Sequence, residues 1–224
     1  MASGPLICRT GVAVLPPRLF PPSAYYAVMA QYPAVAIDAD MRYDKRAKAV
    51  HRYRIADTRG PLELTVPVAR PEGATTAAGV PWSAVGVSAH GRWWEVHRTA
   101  LESAYGRTPF FEYYIDRLLP LFAPRPLDRA ESASDLCLRA DKAVRGILGL
   151  DTAIISTAAA SAAEQCADMR RTMPEVPDAA YWQVRADRFG FICGLSILDL
   201  IFNMGPEAPE VLLRMGRKIP EIGY

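Results

Sequence analysis

The sequence contains few of the residues that build metal and redox sites. Its 224 residues include only three histidines and four cysteines. No two cysteines have the spacing of zinc ligands, and none has a histidine nearby in the sequence, so we predict free cytosolic thiols, no metal site and no cofactor. These residues are His51, His90, His97, Cys8, Cys137, Cys166 and Cys193.

Glycine-rich phosphate loops are absent as well. Neither GxGxxG nor GxxxxGK occurs, which excludes the dinucleotide-binding and P-loop types of nucleotide site. GxSxG is also missing, so the sequence does not predict the nucleophile elbow of an α/β-hydrolase. The sequence therefore does not indicate nucleotide binding of these kinds.

The chain also lacks a long hydrophobic run. Its longest apolar stretches, TAIISTAAASAA (152–163) and FGFICGLSIL (189–198), are shorter than the ~20 residues that span a bilayer. The N-terminal sequence has no charged n-region, and Arg9 interrupts its apolar part. We therefore predict no transmembrane segment, no secretory signal and a cytoplasmic location.

Positive charge is concentrated in one short segment. Residues 40–54 contain six basic and two acidic side chains, a net charge of +4, whereas the whole chain has a net charge of +2. A nucleic-acid-binding protein usually shows a wider basic footprint, so we predict no nucleic-acid partner. The local charge indicates either a small anionic ligand or a protected strand edge.

Hydrophobic patterning predicts a single α+β domain, with a small mixed or antiparallel sheet and a cluster of helices. Long segments at 69–91 and 151–180 are weakly patterned, and we predict loops or flexible chain there, with one strand near Ser83–Ser88. The predicted strands are 6–15, 34–38 and the two strands of a hairpin that turns at Thr58–Gly60. The predicted helices are 20–33, 92–106, 109–122, 132–150, Ser196–Asn203 and a last short helix after Gly205–Pro206.

The basic segment offers one candidate anion site. On a strand, Arg52 and Arg54 share a face, because side chains alternate with period two. Two guanidiniums at this spacing suit a phosphate or a carboxylate, and Lys45 and Arg46 lie just upstream. The alternative is a solvated strand face whose charges protect an edge from aggregation.

His97 is the main candidate for a general base. It lies at helical spacing between Trp94 and Leu101, on an apolar face. Burial there would lower its pKa and keep the imidazole neutral, ready to accept a proton. The alternative is an ordinary core histidine. His51, beside the arginines, is the rival base, although on a strand it faces away from them.

Polar residues near the C-terminus have simpler interpretations. Ser196 and Asp199 are three apart before an apolar run, which is close to a capping box. Asn203 and Glu207 flank Gly205–Pro206, an ordinary helix break. A new helix start at such a break also favours anions.

Several long motifs, in fixed order, resemble the WbqC-like family of bacterial proteins. The resemblance covers most of the chain, is weakest in the two predicted loops, and implies one WbqC-like domain over 1–224. The motifs are LPPRLFPPSAYYAVMAQYPAVAIDAD, RYDKRAKAVHRYRI, LELTVPV, VHRTALESAYGRTPFFEYYID and GLSILDLIFNMGPEA.

The resemblance implies a role in O-antigen or other surface polysaccharide biosynthesis, and one suggestion for the family is transfer of glycine onto a sugar. Family members often show an R-N-R-C-x-I-like run, in which His51 and Tyr53 here replace Asn and Cys. Cysteine catalysis at that position is therefore not available to this chain. Motif position alone gives the site candidates Tyr43, Lys45, Arg52, His97, Arg98, Tyr105 and Asn203.

Two functions remain open on these grounds. The chain is either an acyl or aminoacyl transferase, or a non-catalytic protein that binds phosphate or a sugar nucleotide. As a transferase it would act on a sugar nucleotide or lipid-linked glycan with an acyl donor. Lys45, Arg52 and Arg54 would then hold phosphate, and His97, with Tyr105 nearby, would act as base. The sequence predicts no oligomeric state.

Overall fold

Four short parallel strands form the main sheet of the protein. The computed structural model describes residues 9–69, 71, 79–123 and 131–219. The strands of the sheet are β1 (Val12–Leu15), β2 (Ala34–Ile37), β7 (Ala153–Ile154) and β8 (Cys166–Asp168). They lie in the order β7-β2-β1-β8, with α1 (Ser23–Met29) as the crossover between β1 and β2. A helical crossover is the usual way to join parallel neighbours.

The segment 151–180, predicted as a loop or flexible chain, contains both outer strands of this sheet and α5 (Thr157–Ser161). The two strands are only two and three residues long, so they show no alternation that a sequence pattern could reveal. Their backbone hydrogen bonds come from β2 and β1, which lie more than 100 residues earlier in the chain. The prediction missed them for this reason.

The predicted hairpin is confirmed. It consists of β3 (Arg52–Asp57) and β4 (Gly60–Thr65), which pair antiparallel with Tyr53 opposite Leu64. A smaller antiparallel pair joins β5 (Val68–Ala69) to β6 (Gly86–Val87), close to the strand predicted near Ser83–Ser88. Residues 70 and 72–78 of the predicted loop 69–91 lie outside the described residues.

The predicted helices are confirmed, and they pack around a core whose centre is α7. Ile197, Leu200 and Phe202 of α7 are completely buried. Ser132 begins α4 with a capping box to Asp135. The helices after α1 are α2 (Trp93–Tyr105), α3 (Phe111–Leu118), α4 (Ala133–Leu148), α5, α6 (Ala186–Phe189), α7 (Ile197–Met204) and α8 (Ala208–Gly216).

The architecture is therefore a single α+β domain, as predicted, although its main sheet is parallel and only the small sheets are antiparallel. Among the described residues, no helix is long and apolar enough to cross a membrane. The parallel sheet and the β3–β4 hairpin each border a cavity.

Candidate functional site

The basic segment borders a small cationic cavity, which we call the arginine pocket. Its volume is about 310 Å³. Lys48, Arg52 and Arg54 line it together with a single acidic residue, Glu63 of β4. Its remaining lining residues are Leu19, Phe20, Pro21, Pro22, Ala49, Tyr53, Gly194 and Ser196. Three cationic side chains against one carboxylate give this pocket a net positive charge.

The two arginines of the pocket keep unused hydrogen-bond donors. Arg52 donates from Nη1 to Glu63 Oε1 at 2.7 Å, and its Nε is buried without a hydrogen-bond partner. Arg54 donates from Nη2 to the carbonyl of Cys193 at 2.7 Å. A guanidinium has five N–H donors, so both side chains can still bind an acceptor.

Backbone hydrogen bonds hold the walls of the arginine pocket together. The Ser196 amide donates to the carbonyl of Arg54 at 2.8 Å, and the Ile197 amide donates to Pro21 at 2.8 Å. Ser196 also caps α7 by accepting from the Leu198 amide. Because these amides at the start of α7 are already bonded within the protein, the basic side chains are the groups available to bind an anion.

A second and larger cavity lies at the carboxyl ends of β2 and β8, and we call it the sheet-edge cleft. Its volume is about 910 Å³. Asp38 directly follows β2, and Asp168 is the last residue of β8, so a carboxylate lies at the end of each strand at this edge. Ligands of open parallel sheets bind in this position. The other lining residues are Asp40, Met41, Arg42, Tyr43, Asp44, Ala47, Arg170 and Arg171.

Arg170 joins the two strand ends within the sheet-edge cleft. Its Nη1 donates to Asp38 Oδ2 at 3.0 Å, while Nε and Nη2 donate to the carboxylate of Asp168, the latter at 2.6 Å. The hydrogen bonds from Arg170 lower the pKa of Asp168, and those to Asp168 and Asp38 raise the pKa of Arg170. Both shifts favour the charged forms of Asp168 and Arg170.

The two residues predicted as catalytic, His97 and Tyr105, are buried away from both cavities. His97 is 1% exposed, and Tyr105 is completely buried. His97 Nε2 donates to the Thr65 carbonyl at 3.2 Å, because a carbonyl can only accept, and its Nδ1 then accepts from the Tyr53 hydroxyl at 3.1 Å. Both ring nitrogens are occupied, so in this structure neither one can reach a substrate.

Burial is the main cause of the pKa shifts of His97 and Tyr105. It lowers the pKa of His97 to about 4, against the smaller raising effect of the hydrogen bond to Thr65. Burial raises the pKa of Tyr105 well above its ordinary value, and the nearby carboxylate of Asp199 raises it further. The geometry therefore favours the core-histidine alternative over the general base.

Asn203 is also part of the core rather than of a cavity. It is 3% exposed, its Oδ1 accepts from the Val184 amide, and its Nδ2 donates to the carbonyl of Asp199. The capping interpretation holds for Ser196 and is wrong for Asp199. The Asp199 side chain instead accepts from Tyr181 Oη at 2.7 Å and from Gln183 Nε2 at 3.0 Å.

The remaining predicted site residues are divided over the surface. Tyr43 lines the sheet-edge cleft, whereas Lys45 and Arg46 are exposed and line neither cavity. His51 is half-buried and donates from Nδ1 to the Val66 carbonyl, and burial lowers its pKa. Arg98 is exposed on α2. Of the whole predicted set, the structure brings only Arg52 and Arg54 together in one pocket.

Sequence reasoning missed Asp38, Asp168 and Arg170. The available signal was the acidic residue that ends AVAID, because a carboxylate directly after a buried parallel strand lies at the ligand-binding edge of the sheet. That inference requires a parallel sheet, and β8 could not be seen in the sequence.

Comparison with known proteins gives one match. The sequence profile of a family described as the WbqC-like protein family matches residues 16–173, more than two thirds of the chain. The matched range includes the whole sheet-edge cleft and the basic side chains of the arginine pocket. The GLSILDLIFNMGPEA motif at 194–208 lies beyond it. No curated protein and no solved structure matches the chain.

Proposed function

Because the chain belongs to the WbqC-like protein family, we propose that it takes part in the synthesis of O-antigen or another surface polysaccharide by binding a phosphorylated sugar intermediate. The ligand is a sugar nucleotide or a lipid-linked glycan, and its phosphate lies in the arginine pocket. As part of this proposal, the protein acts in the cytoplasm, the location predicted from the sequence.

The observation that supports this proposal best is the convergence of Lys48, Arg52 and Arg54 on one pocket. Arg52 and Arg54 come from the same face of β3, while Lys48 comes from the turn before it. Only Glu63 offsets their charge among the lining residues. Guanidiniums bind phosphate oxygens through short, charge-assisted and often bidentate hydrogen bonds.

The size of the pocket limits how much of the ligand it contains. Its volume, about 310 Å³, is at the lower end of the range for ligand pockets, which is roughly 300–1,000 Å³. We therefore propose that the pocket holds the phosphate or diphosphate and that the rest of the ligand extends outside it.

Binding without chemistry is the form of this function that the geometry supports best. Transfer of an acyl or aminoacyl group requires a base that reaches the acceptor hydroxyl or amine within about 3 Å or through one water. His97 and Tyr105 are buried, both ring nitrogens of His97 are hydrogen-bonded within the protein, and the Tyr105 hydroxyl accepts from the Ala56 amide. A transferase of this structure would have to use other residues.

We expect the wild-type protein to bind inorganic pyrophosphate and UDP-glucose, and the substitution Arg54→Gln to weaken both by about tenfold. The expected loss is that of one charge-assisted hydrogen bond to phosphate. Isothermal titration calorimetry measures the dissociation constants, and thermal unfolding with and without ligand provides a second readout, because a ligand stabilises only the state it binds.

Arg46→Gln is the matched control for Arg54→Gln. It removes the same charge from the same basic segment, but Arg46 is exposed and does not line the arginine pocket. We expect the dissociation constants of Arg46→Gln to remain within about twofold of the wild type, because salt screens the interaction of an exposed charge that does not contact the ligand. Equal weakening by both substitutions would show that binding is non-specific, and absence of binding to either ligand would refute the proposal.

A further inference from the structure

The sheet-edge cleft has no part in the proposed phosphate site, and its composition points to a different ligand. We infer that it binds an uncharged, polyhydroxylated group of the sugar-ring class. This inference goes beyond the proposed function, because it concerns a separate cavity and requires no phosphate in the arginine pocket. It depends on three features of the cleft: its charge balance, its paired donors and acceptors, and its aromatic wall.

The charge balance of the cleft argues against an ionic ligand. Three arginines and four aspartates line it, so the two signs almost cancel. An anion would be repelled by four carboxylates, and a cation would be repelled by three guanidiniums. In each case this repulsion would offset the attraction to the side chains of opposite charge. Among the described residues, no group of acidic, histidine and cysteine side chains could hold a metal ion. A neutral polar ligand is not repelled by either set of charges.

Donors and acceptors lie side by side in the cleft, as a polyol requires. Arg170 uses three of its nitrogens on Asp38 and Asp168, and this fixes a guanidinium between two carboxylates. A guanidinium has five N–H donors, so Arg170 keeps donors for a ligand, and each carboxylate keeps lone pairs. A sugar hydroxyl both donates and accepts, and two neighbouring hydroxyls match an adjacent donor and acceptor.

The same cleft has a rigid aromatic wall. Tyr43 is half-buried, and its ring centroid lies 4.7 Å from that of the buried Trp82. Backbone hydrogen bonds from Tyr43 to Val80 and from Trp82 to Met41 join the two chain segments that carry these rings. A flat apolar surface beside hydrogen-bonding groups suits a sugar ring, which has apolar C–H faces and polar edges.

The linings of the cleft and of the arginine pocket come from neighbouring residues of the chain. Ala47 lines the sheet-edge cleft, and the next residue, Lys48, lines the arginine pocket. The linings of the two cavities are therefore adjacent at residues 47–48. One phosphorylated sugar and a second sugar could occupy the neighbouring cavities at the same time.

Saturation-transfer NMR with four uncharged sugars tests the inference. The probes are the methyl α-glycosides of glucose, galactose and mannose, and N-acetylglucosamine. We expect saturation transfer from the wild-type protein to the ring protons of at least one probe. Asp168→Ala should weaken that binding by about tenfold, through loss of an acceptor and of the Arg170 anchor. Tyr43→Ala should weaken it severalfold, through loss of the aromatic wall.

Two control variants distinguish this site from the arginine pocket. Asp151→Asn changes an exposed aspartate that lines neither cavity, and Arg54→Gln changes the arginine pocket alone. Both should bind the sugar as the wild type does, and failure of the phosphate experiment would leave this result unchanged. Absence of saturation transfer from all four sugars, or transfer that Asp168→Ala and Tyr43→Ala leave intact, would overturn the inference. Binding of inorganic phosphate or Mg²⁺ that Asp168→Ala abolishes would also overturn it.

Discussion

Replacement of Asp199 by alanine is expected to lower the free energy of unfolding by about 3–5 kcal/mol. Asp199 is completely buried on α7. Its Oδ2 accepts hydrogen bonds from Tyr181 and Gln183. Burial of a donor without its acceptor costs about 1–3 kcal/mol, and the substitution leaves two donors, the Tyr181 hydroxyl and the Gln183 amide, without this acceptor.

Urea denaturation of the wild type and of Asp199→Ala measures this loss. Asp187→Ala is the matched control, because Asp187 is an exposed aspartate on the neighbouring α6, and we expect its effect to stay within about 0.5 kcal/mol. If Asp199→Ala does not fold, Tyr181→Phe removes a single donor and should cost about 1 kcal/mol. A loss below about 1 kcal/mol in Asp199→Ala would mean that the network contributes little to stability.

Asp199 also illustrates which parts of the fold the sequence could predict. Local signals near α7 were sufficient for its start at Ser196 and its end at Gly205, because capping and helix breaks depend on neighbouring residues. The partners of Asp199, by contrast, lie 16 and 18 residues earlier in an irregular segment. Spacing within a motif cannot show such contacts, so the capping box was the simplest local explanation.

The candidate sites show the same division between local and distant information. The shared face of Arg52 and Arg54 follows from strand alternation, and both line the arginine pocket. The sheet-edge cleft depends on Arg170 and Asp38, which are 132 residues apart. Its existence follows from the pairing of β8 with β1, and a three-residue strand leaves no pattern in the sequence. Tertiary pairing therefore determines the site that sequence reasoning missed.

The pH dependence of stability is expected to depend strongly on His97. Its pKa in the folded protein is about 4, below the ordinary value of 6.5, because burial disfavours the charged imidazole. The unfolded chain therefore binds a proton below about pH 6.5 that the folded chain binds only below about pH 4. This group's contribution to the free energy of unfolding is fully present above about pH 6.5. It decreases as the pH falls from about 6.5 to about 4, and the total loss is about 3–4 kcal/mol.

Burial is the main reason why the folded state resists the proton, and the hydrogen bonds of His97 show where that proton would have to go. Its Nε2–H donates to Thr65, and its Nδ1 lone pair accepts from Tyr53, so an added proton at Nδ1 would displace the Tyr53 hydroxyl hydrogen from that contact. The free energy of unfolding of the wild type should decrease between about pH 7 and about pH 4.5. In His97→Gln this decrease should be smaller by roughly 2–3 kcal/mol, because the substitution removes the titrating group. His90→Gln, at an exposed histidine, is the matched control. If the pH dependence of His97→Gln equals that of the wild type, water and protons reach the imidazole in the folded state, and the general-base hypothesis for His97 regains its physical basis.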